Sequence, residues 1–389
     1  MSHEADLALI TPAEASVLNG VPYLQIGDLP EAQQKITVYG FPEGGETLST
    51  TTGVISRIEH QIYIHSFQDL LAAQIDAAIN TGNSGGPVIL ENKIVGIAMQ
   101  LRKESENIGY MVPAPIIKNL LVDLDDGNYD GFPKTGMKLQ KMENQSLKEM
   151  YGLKDNQSGA LIIDILPGSP ASGNLFPGDI ILSMDGHPVA DDGTVEFRPK
   201  ERTDVSYYIQ QHQIGEAVSM KIFREGREKS IELTLNKSWR KPMIRHDVRP
   251  TYYIYGGLVF CPLTINYLMT WDGDWRTEAP PNLINAFYET PSEQGEEFVI
   301  LTKVLSSEIN NGYEDFIDER IVEVNGKKIL NLRDLIQIIE SETDDPYVVF
   351  KTKRGKILAL NREEVKQEQD EILKTYHISS DRSLDLKAI

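Results

Sequence analysis

Short apolar runs alternate with polar and turn-forming residues along the first hundred positions, and this pattern predicts β-strands. Glycine and proline cluster between the runs, at 28–30 and 40–45, where they end strands. Strands are predicted at residues 7–10, 36–39, 53–58, 62–64, 88–90 and 94–99. So many short strands with turn signals between them indicate a β-barrel or a β-sandwich.

After residue 113, apolar residues recur with the spacing of a helix and no longer with that of a strand. Pro113 and Pro115 open the helix, and one of its faces carries Ile116, Ile117, Leu120, Leu121 and Leu124. The acidic segment 123–131 ends it. This segment does not fit a calcium-binding loop, because Asn128 stands where that loop needs glycine and Lys134 where it needs glutamate. We interpret it as a solvated linker.

A pattern of strand, turn and strand then occurs twice, at 178–189 and at 318–329. The turn is Asp-Gly in the first copy and Asn-Gly in the second. Each copy follows an alternating apolar strand and precedes a helix-like segment and a glycine hairpin. The repeat predicts two homologous modules of strands and helices. In the first module, residues 202–212 are expected to form an exposed polar helix beside an open groove.

The second module begins with an aromatic-rich segment, residues 251–297. Two interpretations of its aromatic side chains stay open. They form the module's own core, or they form a surface for self-association, since large apolar patches usually mark protein interfaces. The second interpretation would leave peptide binding to the first module and assembly to the second.

Composition narrows the classes of function. The 389 residues, 40% of them hydrophobic, suffice for two or three domains of about 150 residues each. The net charge of −20 makes contact with nucleic acid or an anionic membrane unfavourable. The longest apolar runs fall short of the roughly 20 residues that a membrane-spanning helix needs. No nucleic-acid partner and no membrane span are therefore expected.

The residue types that bind metals are sparse. The single cysteine, Cys261, lies in an apolar run and is expected to pack as a small hydrophobic residue. His60 and His65 are an odd number of positions apart, so in an extended segment they point to opposite faces and form no metal pair. We expect no metal and no cofactor.

The segment GNSGG at 82–86 surrounds Ser84 with glycines, which leave its hydroxyl accessible and turn neighbouring N–H groups to one side. The segment matches the G-x-S-x-G motif of the nucleophile elbow in α/β-hydrolases, but in those enzymes the serine leads into a helix. Here Pro87 and two β-type runs follow. They favour the trypsin-like order, in which an acid precedes the serine. Asp6, at the start of an apolar segment, is the candidate acid.

Four segments together resemble the HtrA/Deg serine proteases: DLALI at 6–10, QIDAAINTGNSGGP at 74–87, VGIA at 95–98 and NIGYMVP at 107–113. The two repeats resemble the PDZ domains of that family, the first through PGSPA at 167–171 and PGDIIL at 177–182. The second half is most similar to the plant-type Deg proteases with two PDZ domains. The resemblance covers essentially the whole chain.

The resemblance implies a mixed, mainly β fold. Residues 1–128 would be the C-terminal part of a trypsin-like double β-barrel, and two α+β PDZ domains would follow at 132–240 and 250–389. The implied activity is ATP-independent proteolysis of misfolded or damaged proteins. The implied assembly is a homo-oligomer, either trimer-based or held by PDZ domains. The family also suggests a periplasmic or organellar location, although the chain shows no signal peptide.

The resemblance also assigns site residues by position. Ser84 would be the nucleophile and Asp6 the acid that orients the catalytic histidine. The oxyanion hole would be formed by the backbone of Gly82, Asn83 and Ser84. The pocket for a small or medium apolar substrate side chain would be lined by Ile79, Ile97, Ala98 and Met99, although core packing explains these residues equally well. The PDZ peptide sites would include Thr135, Gly136, Met137, Gly256, Gly257, Leu258, Val259 and Phe260.

One element of the family's pattern is missing. No histidine precedes Asp6 apart from His3, which lies on no strand of its own. We therefore expect the chain to be an N-terminally truncated, inactive form without the half-barrel that carries the base. By comparison with subtilisin, the loss is on the order of a millionfold in kcat. The rival interpretation is a non-catalytic, chaperone-like scaffold whose PDZ domains bind peptides.

Overall fold

A computed structural model describes residues 1–41, 47–79, 82–99, 109–237 and 243–387. The chain divides into two compact units, Met1–Ser238 and Trp239–Ile389. Both are built mainly from β-strands. Within the described ranges, no helix is both long enough and apolar enough to cross a membrane.

The first unit begins with a closed β-barrel. Its strands are β1 (Gln25–Ile26), β2 (Lys35–Gly40), β3 (Ser49–Ile62), β4 (Asp69–Ile75), β5 (Pro87–Leu90), β6 (Lys93–Met99) and β7 (Gly109–Pro113). Six strands form the barrel in the order β6-β5-β2-β3-β4-β7, and the barrel closes because β6 also pairs with β7. Strand β1 pairs with β6 in parallel. Helix α1 (Ala114–Asp123) follows β7. The barrel is one of the two folds that the strand pattern predicts.

The predicted strand at 7–10 is wrong. Leu7 pairs only with Ser2, in an isolated bridge, and Leu9 and Ile10 are 59% and 87% exposed. The described residues provide no neighbouring strand for this segment, so its backbone has no ladder to join. The predicted strand at 62–64 is also wrong, because β3 ends at Ile62. The other four predicted strands lie within β2, β3, β5 and β6.

The first unit ends with a six-stranded sheet and a hairpin that lies outside it. The elements are β8 (Met137–Gln140), α2 (Gln145–Tyr151), β9 (Ala160–Ile165), β10 (Ile180–Met184), β11 (His187–Pro188), β12 (Thr194–Arg198), β13 (Glu201–Asp204), α3 (Ser206–Ile209), β14 (Ala217–Arg224) and β15 (Arg227–Thr234). The main sheet runs β15-β14-β10-β9-β8, and β11 pairs with β10. Strand β12 pairs with β13, and an isolated bridge joins its Val195 to Val189. The polar helix predicted at 202–212 is therefore wrong over much of its length, because its first residues belong to β13.

The second unit repeats this sheet and adds a strand. Its elements are β16 (Tyr253–Tyr255), β17 (Leu258–Pro262), α4 (Ile265–Leu268), α5 (Trp275–Glu278), α6 (Pro281–Tyr288), β18 (Val299–Val304), β19 (Glu319–Val324), β20 (Lys327–Lys328), α7 (Leu332–Glu340), β21 (Tyr347–Thr352), β22 (Ile357–Asn361) and α8 (Arg362–Thr375). The sheet runs β22-β21-β19-β18-β17-β16. Tyr253, Phe260 and Trp275 are buried inside the unit, so these aromatic side chains contribute to its core.

Both repeats turn as the sequence predicts. Asp185 and Gly186 have φ values of 47° and 80°, and Asn325 and Gly326 have values of 47° and 74°. Positive φ at both central residues is the geometry of a type I′ turn, which Asp-Gly and Asn-Gly adopt readily. The hairpin therefore has the same strand register in each of the two units.

Hairpin β12–β13 and helix α3 join the six-stranded sheet to the barrel. The guanidinium of Arg198 donates to the carbonyl oxygen of Pro30 at 2.9 Å. On β3, His60 Nδ1 lies 2.8 Å from the Thr203 hydroxyl, and its Nε2 lies 3.2 Å from Gln210 Oε1. The Asn119 side chain donates to the Gln210 carbonyl oxygen at 3.1 Å. The sequence pattern gave no indication of this junction.

Candidate active site

Ser84 lies in a tight turn between β4 and β5. The N–H of Gly86 donates to the carbonyl oxygen of Asn83 at 3.1 Å, which makes residues 83–86 a β-turn. Gly85 has a φ of 85°, the value that the third position of a type II turn requires and that L-residues rarely adopt. Ser84 occupies the second position, and its side chain is exposed.

The turn is held tightly against two strands. The N–H of Gly85 donates to the carbonyl oxygen of Ala98 at 2.8 Å, and the N–H of Ala98 donates to the carbonyl oxygen of Gly86 at 2.9 Å. A Cβ on Gly86 would lie 2.0 Å from the carbonyl oxygen of Tyr39, so no larger residue fits there. The nucleophile candidate therefore stands on a backbone fixed by β2 and β6.

Two backbone donors beside Ser84 have no partner among the described residues. These are the N–H groups of Gly82, whose φ is 97°, and of Ser84 itself. The Asn83 side chain between them is 3% exposed and packs against Gly40, and its Oδ1 accepts no hydrogen bond there. Unbonded N–H groups next to a hydroxyl are what an oxyanion hole requires.

A depression of about 600 Å³ adjoins Ser84 on the side of β2. Its apolar lining consists of Leu24, Tyr39, Phe41, Leu48, Pro87 and Ile89. These residues could not be predicted from the sequence pattern, because they come from several segments of the chain and share no period. The chemistry of the lining suits an apolar side chain.

The predicted pocket residues lie elsewhere around the turn. Ile97, Ala98 and Met99 belong to β6, where Ala98 and Met99 are buried in the barrel. Ile79 is partly buried against the same core. Only Ala98 is bonded to the turn, through its backbone. Their role in binding substrate stays a prediction.

Asp6 occupies an exposed turn closed by the bridge between Ser2 and Leu7, and its φ is 55°. It lies near Tyr63, whose pKa is raised mainly by complete burial and secondarily by the charge of Asp6. Among the described residues, Asp6 forms no hydrogen bond with Ser84 and does not line the depression beside it. Its predicted role therefore depends on the family motif.

None of the five histidines of the first unit contacts Ser84 within the described residues. His60 is engaged at the junction with the first PDZ-like sheet, and His212 pairs with Asp185 at 2.6 Å. The described residues also hold no cluster of three or more His, Cys, Asp or Glu side chains that suits a metal ion. The site thus provides a serine and donors for an oxyanion. No general base is among the contacts of Ser84 within the described residues.

A second candidate site lies at the start of β8. The N–H groups of Thr135 and Gly136 donate to no acceptor among the described residues. Gly136 has a φ of 77°, and a Cβ there would lie 2.3 Å from the Ser169 hydroxyl. This hydroxyl is buried and has no hydrogen-bond partner in the part of the chain that the structure describes. Met137 on β8 is partly exposed. Free N–H groups and a hydroxyl at the end of an edge strand can hold a peptide carboxylate.

The corresponding segment of the second unit is already bonded. The N–H of Gly256 donates to Gln369 Oε1 at 2.8 Å, and its carbonyl oxygen accepts from the Asn310 side chain at 2.8 Å. Gly257 accepts from the N–H of Leu305 at 2.8 Å. Leu258 and Phe260 are fully buried, and Val259 is partly buried. The structure thus distinguishes the two predicted peptide sites.

Family comparisons agree with this architecture. A trypsin-like peptidase domain matches residues 1–97, one PDZ domain matches residues 151–235, and another matches residues 241–385. A peptidase domain followed by two PDZ domains defines the class of protein.

Relatives define the family more closely. Protease Do-like 2, chloroplastic, of Arabidopsis thaliana is 38% identical over 98% of this chain and 63% of its own length. Protease Do-like 4, mitochondrial, of the same organism is 33% identical over 99% of this chain and 72% of its own length. The chain belongs to the HtrA/Deg (Do-like) serine protease family. The predicted family and the mainly β fold class are confirmed.

Proposed function

We propose that this chain carries the nucleophile, the oxyanion hole and the peptide-recognition domain of a serine endopeptidase. The Ser84 turn is the observation that carries the proposal. In the first step, Ser84 Oγ bonds to the substrate carbonyl carbon as a histidine base takes its proton. The N–H groups of Gly82 and Ser84 stabilise the oxyanion, and the amine product leaves with that proton. Water then attacks the acyl-enzyme, which releases the acid and restores Ser84.

The histidine in this scheme is not among the residues that contact Ser84 in the described ranges. Asp6 is proposed to orient it, as the family motif at residues 6–10 implies. Without the imidazole, the 389-residue chain keeps only its oxyanion hole and binding interactions. We therefore propose that the chain by itself turns over peptide bonds on the order of a millionfold more slowly than a complete triad.

The proposed substrates are unfolded or damaged proteins with apolar residues at the cleavage site. The lining of the depression beside Ser84 supports an apolar preference. The donors at Thr135 and Gly136 support capture of a peptide terminus by the first PDZ domain. Assembly into a homo-oligomer is part of the same proposal, because the family suggests it.

A non-catalytic peptide-binding scaffold is the second candidate function. The observation that favours it is that no histidine of the first unit contacts Ser84 within the described residues. The two functions differ in whether Ser84 is ready to react once a base is provided, and this difference can be measured.

Chemical rescue with free imidazole tests the proposal. The chain is incubated with a fluorophosphonate probe, and labelling is followed with increasing imidazole. We expect very slow labelling without imidazole and at least a tenfold increase with it, confined to Ser84 and absent in Ser84→Ala. Ser172→Ala, at another exposed serine, serves as the matched control. Imidazole-independent labelling would show that a base is already present. No labelling at any imidazole concentration would favour the scaffold.

A further inference from the structure

The Ser84 turn lies between two strands of the barrel. Strand β5 begins at Pro87, directly after the turn, and in the sheet it lies between β6 and β2. The backbone of Ala98 on β6 is hydrogen-bonded to the turn, and the carbonyl oxygen of Tyr39 on β2 lies against Gly86. The serine is therefore flanked by β6 on one side and by β2 on the other.

The depression beside Ser84 extends from the turn along β5 and β2. Its apolar lining comes from these two strands and from residues next to β1, β2 and β3, namely Pro87, Ile89, Tyr39, Leu24, Phe41 and Leu48. None of the described residues of β6 or β7 lines it. The pocket that the family motif predicts for the residue before the cleaved bond uses residues 97–99, which belong to β6. The two sets of residues thus form separate walls beside the serine.

The rim of the depression is apolar and open to solvent. Leu24 is 46% exposed, Phe41 is 59% exposed and Leu48 is 55% exposed. No charged side chain is among the described residues of the lining. A contiguous group of exposed apolar side chains usually marks a binding site. This group is continuous with the nucleophile, since Ser84 and Gly85 line the same depression, so its occupant is part of the substrate chain.

A substrate held at Ser84 reaches this depression within one or two residues. In the proposed function, the N–H groups of Gly82 and Ser84 hold the carbonyl oxygen of the cleaved bond. An extended chain advances about 3.3 Å per residue, and Ser84 itself lines the depression, so the distance to be covered is short. If the residue before the bond lies against β6, as predicted, the residue after it lies over β5 and β2.

We propose that the depression binds an apolar residue that follows the cleaved bond, on the side of the amine product. This inference rests on the proposed endopeptidase function and makes its substrate class more specific. The substrate is a protein segment that carries apolar residues on both sides of the cleaved bond. Leu24, Phe41 and Leu48 select the residue after the bond and do not contact the acyl group.

Acyl transfer from a thioester tests the amine side separately from the acyl side. The full chain with Ser84→Cys is acetylated with p-nitrophenyl acetate, in a Cys261→Ser background so that position 84 holds the single thiol. The isolated thioester, located by mass spectrometry, is offered leucine amide and serine amide at equal concentration. The amine nitrogen attacks the thioester carbonyl carbon, the C–S bond breaks and the thiolate leaves. The acetyl group is the same in both products, so their ratio reports on the amine side alone.

We expect acetyl-leucine amide in at least fivefold excess, relative to the ratio that a small thioester gives in free solution, because an apolar pocket favours the apolar amine. Leu48→Asp is expected to reduce this preference to less than twofold. Leu18→Asp is the matched control, because Leu18 is 56% exposed, like Leu48, but does not line the depression. It should keep the parent's preference.

A thioester that forms but shows no preference between the amines would overturn this inference and leave the proposed function intact. Equal preferences in the two leucine variants would overturn it as well. A second measurement compares butyryl and acetyl esters in the acylation step. If Leu48→Asp changes that selectivity and not the selectivity between amines, the depression binds the acyl side and the inference is wrong. If no thioester forms at position 84, the proposed function fails together with the inference.

Discussion

At the scale of single residues, unpaired polar groups mark both candidate sites of the first unit. Ser84 stands beside two N–H groups that lack partners among the described residues, and Ser169 holds a buried hydroxyl without one. A buried polar group without a hydrogen bond costs about 1–3 kcal/mol. This cost applies to the buried Ser169 hydroxyl, and it is understandable where a ligand completes the bond. The N–H groups beside Ser84 belong to exposed residues, so a substrate oxygen can reach them.

Ser169→Ala is expected to weaken the binding of peptides with a free C-terminal carboxylate about tenfold. The hydroxyl lies beside Gly136, and a hydrogen bond to a charged group is worth about 1.5–3 kcal/mol. The free protein should become more stable by about 1–3 kcal/mol, because the substitution removes a buried hydroxyl that has no partner among the described residues. Titration calorimetry with a carboxylate peptide and its amidated form measures the affinity, and thermal unfolding measures the stability.

Ser172→Ala is the matched control for this prediction, since Ser172 lies on the same segment but is exposed. It should bind the carboxylate peptide like the parent chain. Equal affinities of the Ser169 and Ser172 variants would remove Ser169 from the peptide site.

At the scale of elements, the edge of a strand decides what it can bind. Strand β8 has a free outer edge, and its inward side chains Met137 and Leu139 are partly exposed. The equivalent residues of β17, Leu258 and Phe260, are 0% exposed because β16 and the core cover them. The sequence repeat predicts both strands, but it cannot show which edge is covered, because that depends on residues far away in the chain.

The junction between β3 and the first PDZ domain should respond to pH. Gln210 Oε1 can only accept, so His60 Nε2 carries the proton and Nδ1 accepts from the Thr203 hydroxyl. Burial lowers the pKa of His60 below its usual value of about 6.5, against weaker opposing effects of Asp69 from β4 and Asp204 from β13. The unfolded state therefore binds more protons, and stability falls as pH drops below about 6.5.

We expect His60→Gln to flatten this dependence. The contribution of one such histidine is at most about 1.4 kcal/mol per pH unit. Thermal unfolding of the parent and the variant between about pH 7.5 and pH 5.5 measures it. His65→Gln, on an exposed histidine of the same region, should keep the parent's slope. A parent-like slope in His60→Gln would show that another group titrates.

At the scale of the whole molecule, local patterns predicted the domain order, four barrel strands, the helix after Pro113 and both type I′ turns. Each depends on residues close together in sequence. The patterns missed β4, β7 and hairpin β12–β13, whose stability comes from pairing or packing with distant segments. They also placed Asp6 at the start of a strand, whereas it lies in an exposed turn. The resemblance to a family supplied what period and spacing could not, namely the roles of the site residues.

The barrel and the first PDZ domain form one compact unit, and Arg198 on the inserted hairpin is expected to maintain it. Its guanidinium donates to the Pro30 carbonyl oxygen at 2.9 Å and to the Leu29 carbonyl oxygen at 3.4 Å. Arg198→Ala removes both bonds and leaves two acceptors without this donor. Hydrogen bonds to charged groups contribute about 1.5–3 kcal/mol each.

We therefore expect Arg198→Ala to speed hydrogen exchange in β12, β13 and α3 about tenfold while the barrel strands keep their protection. Arg202→Ala is the control, because Arg202 lies on the same hairpin but bonds only to Thr194 within it. If both variants exchange alike, the contact with residues 29 and 30 does not hold the PDZ domain on the barrel. A difference confined to Arg198→Ala would show that the inserted hairpin fixes the peptide-binding domain relative to the Ser84 barrel.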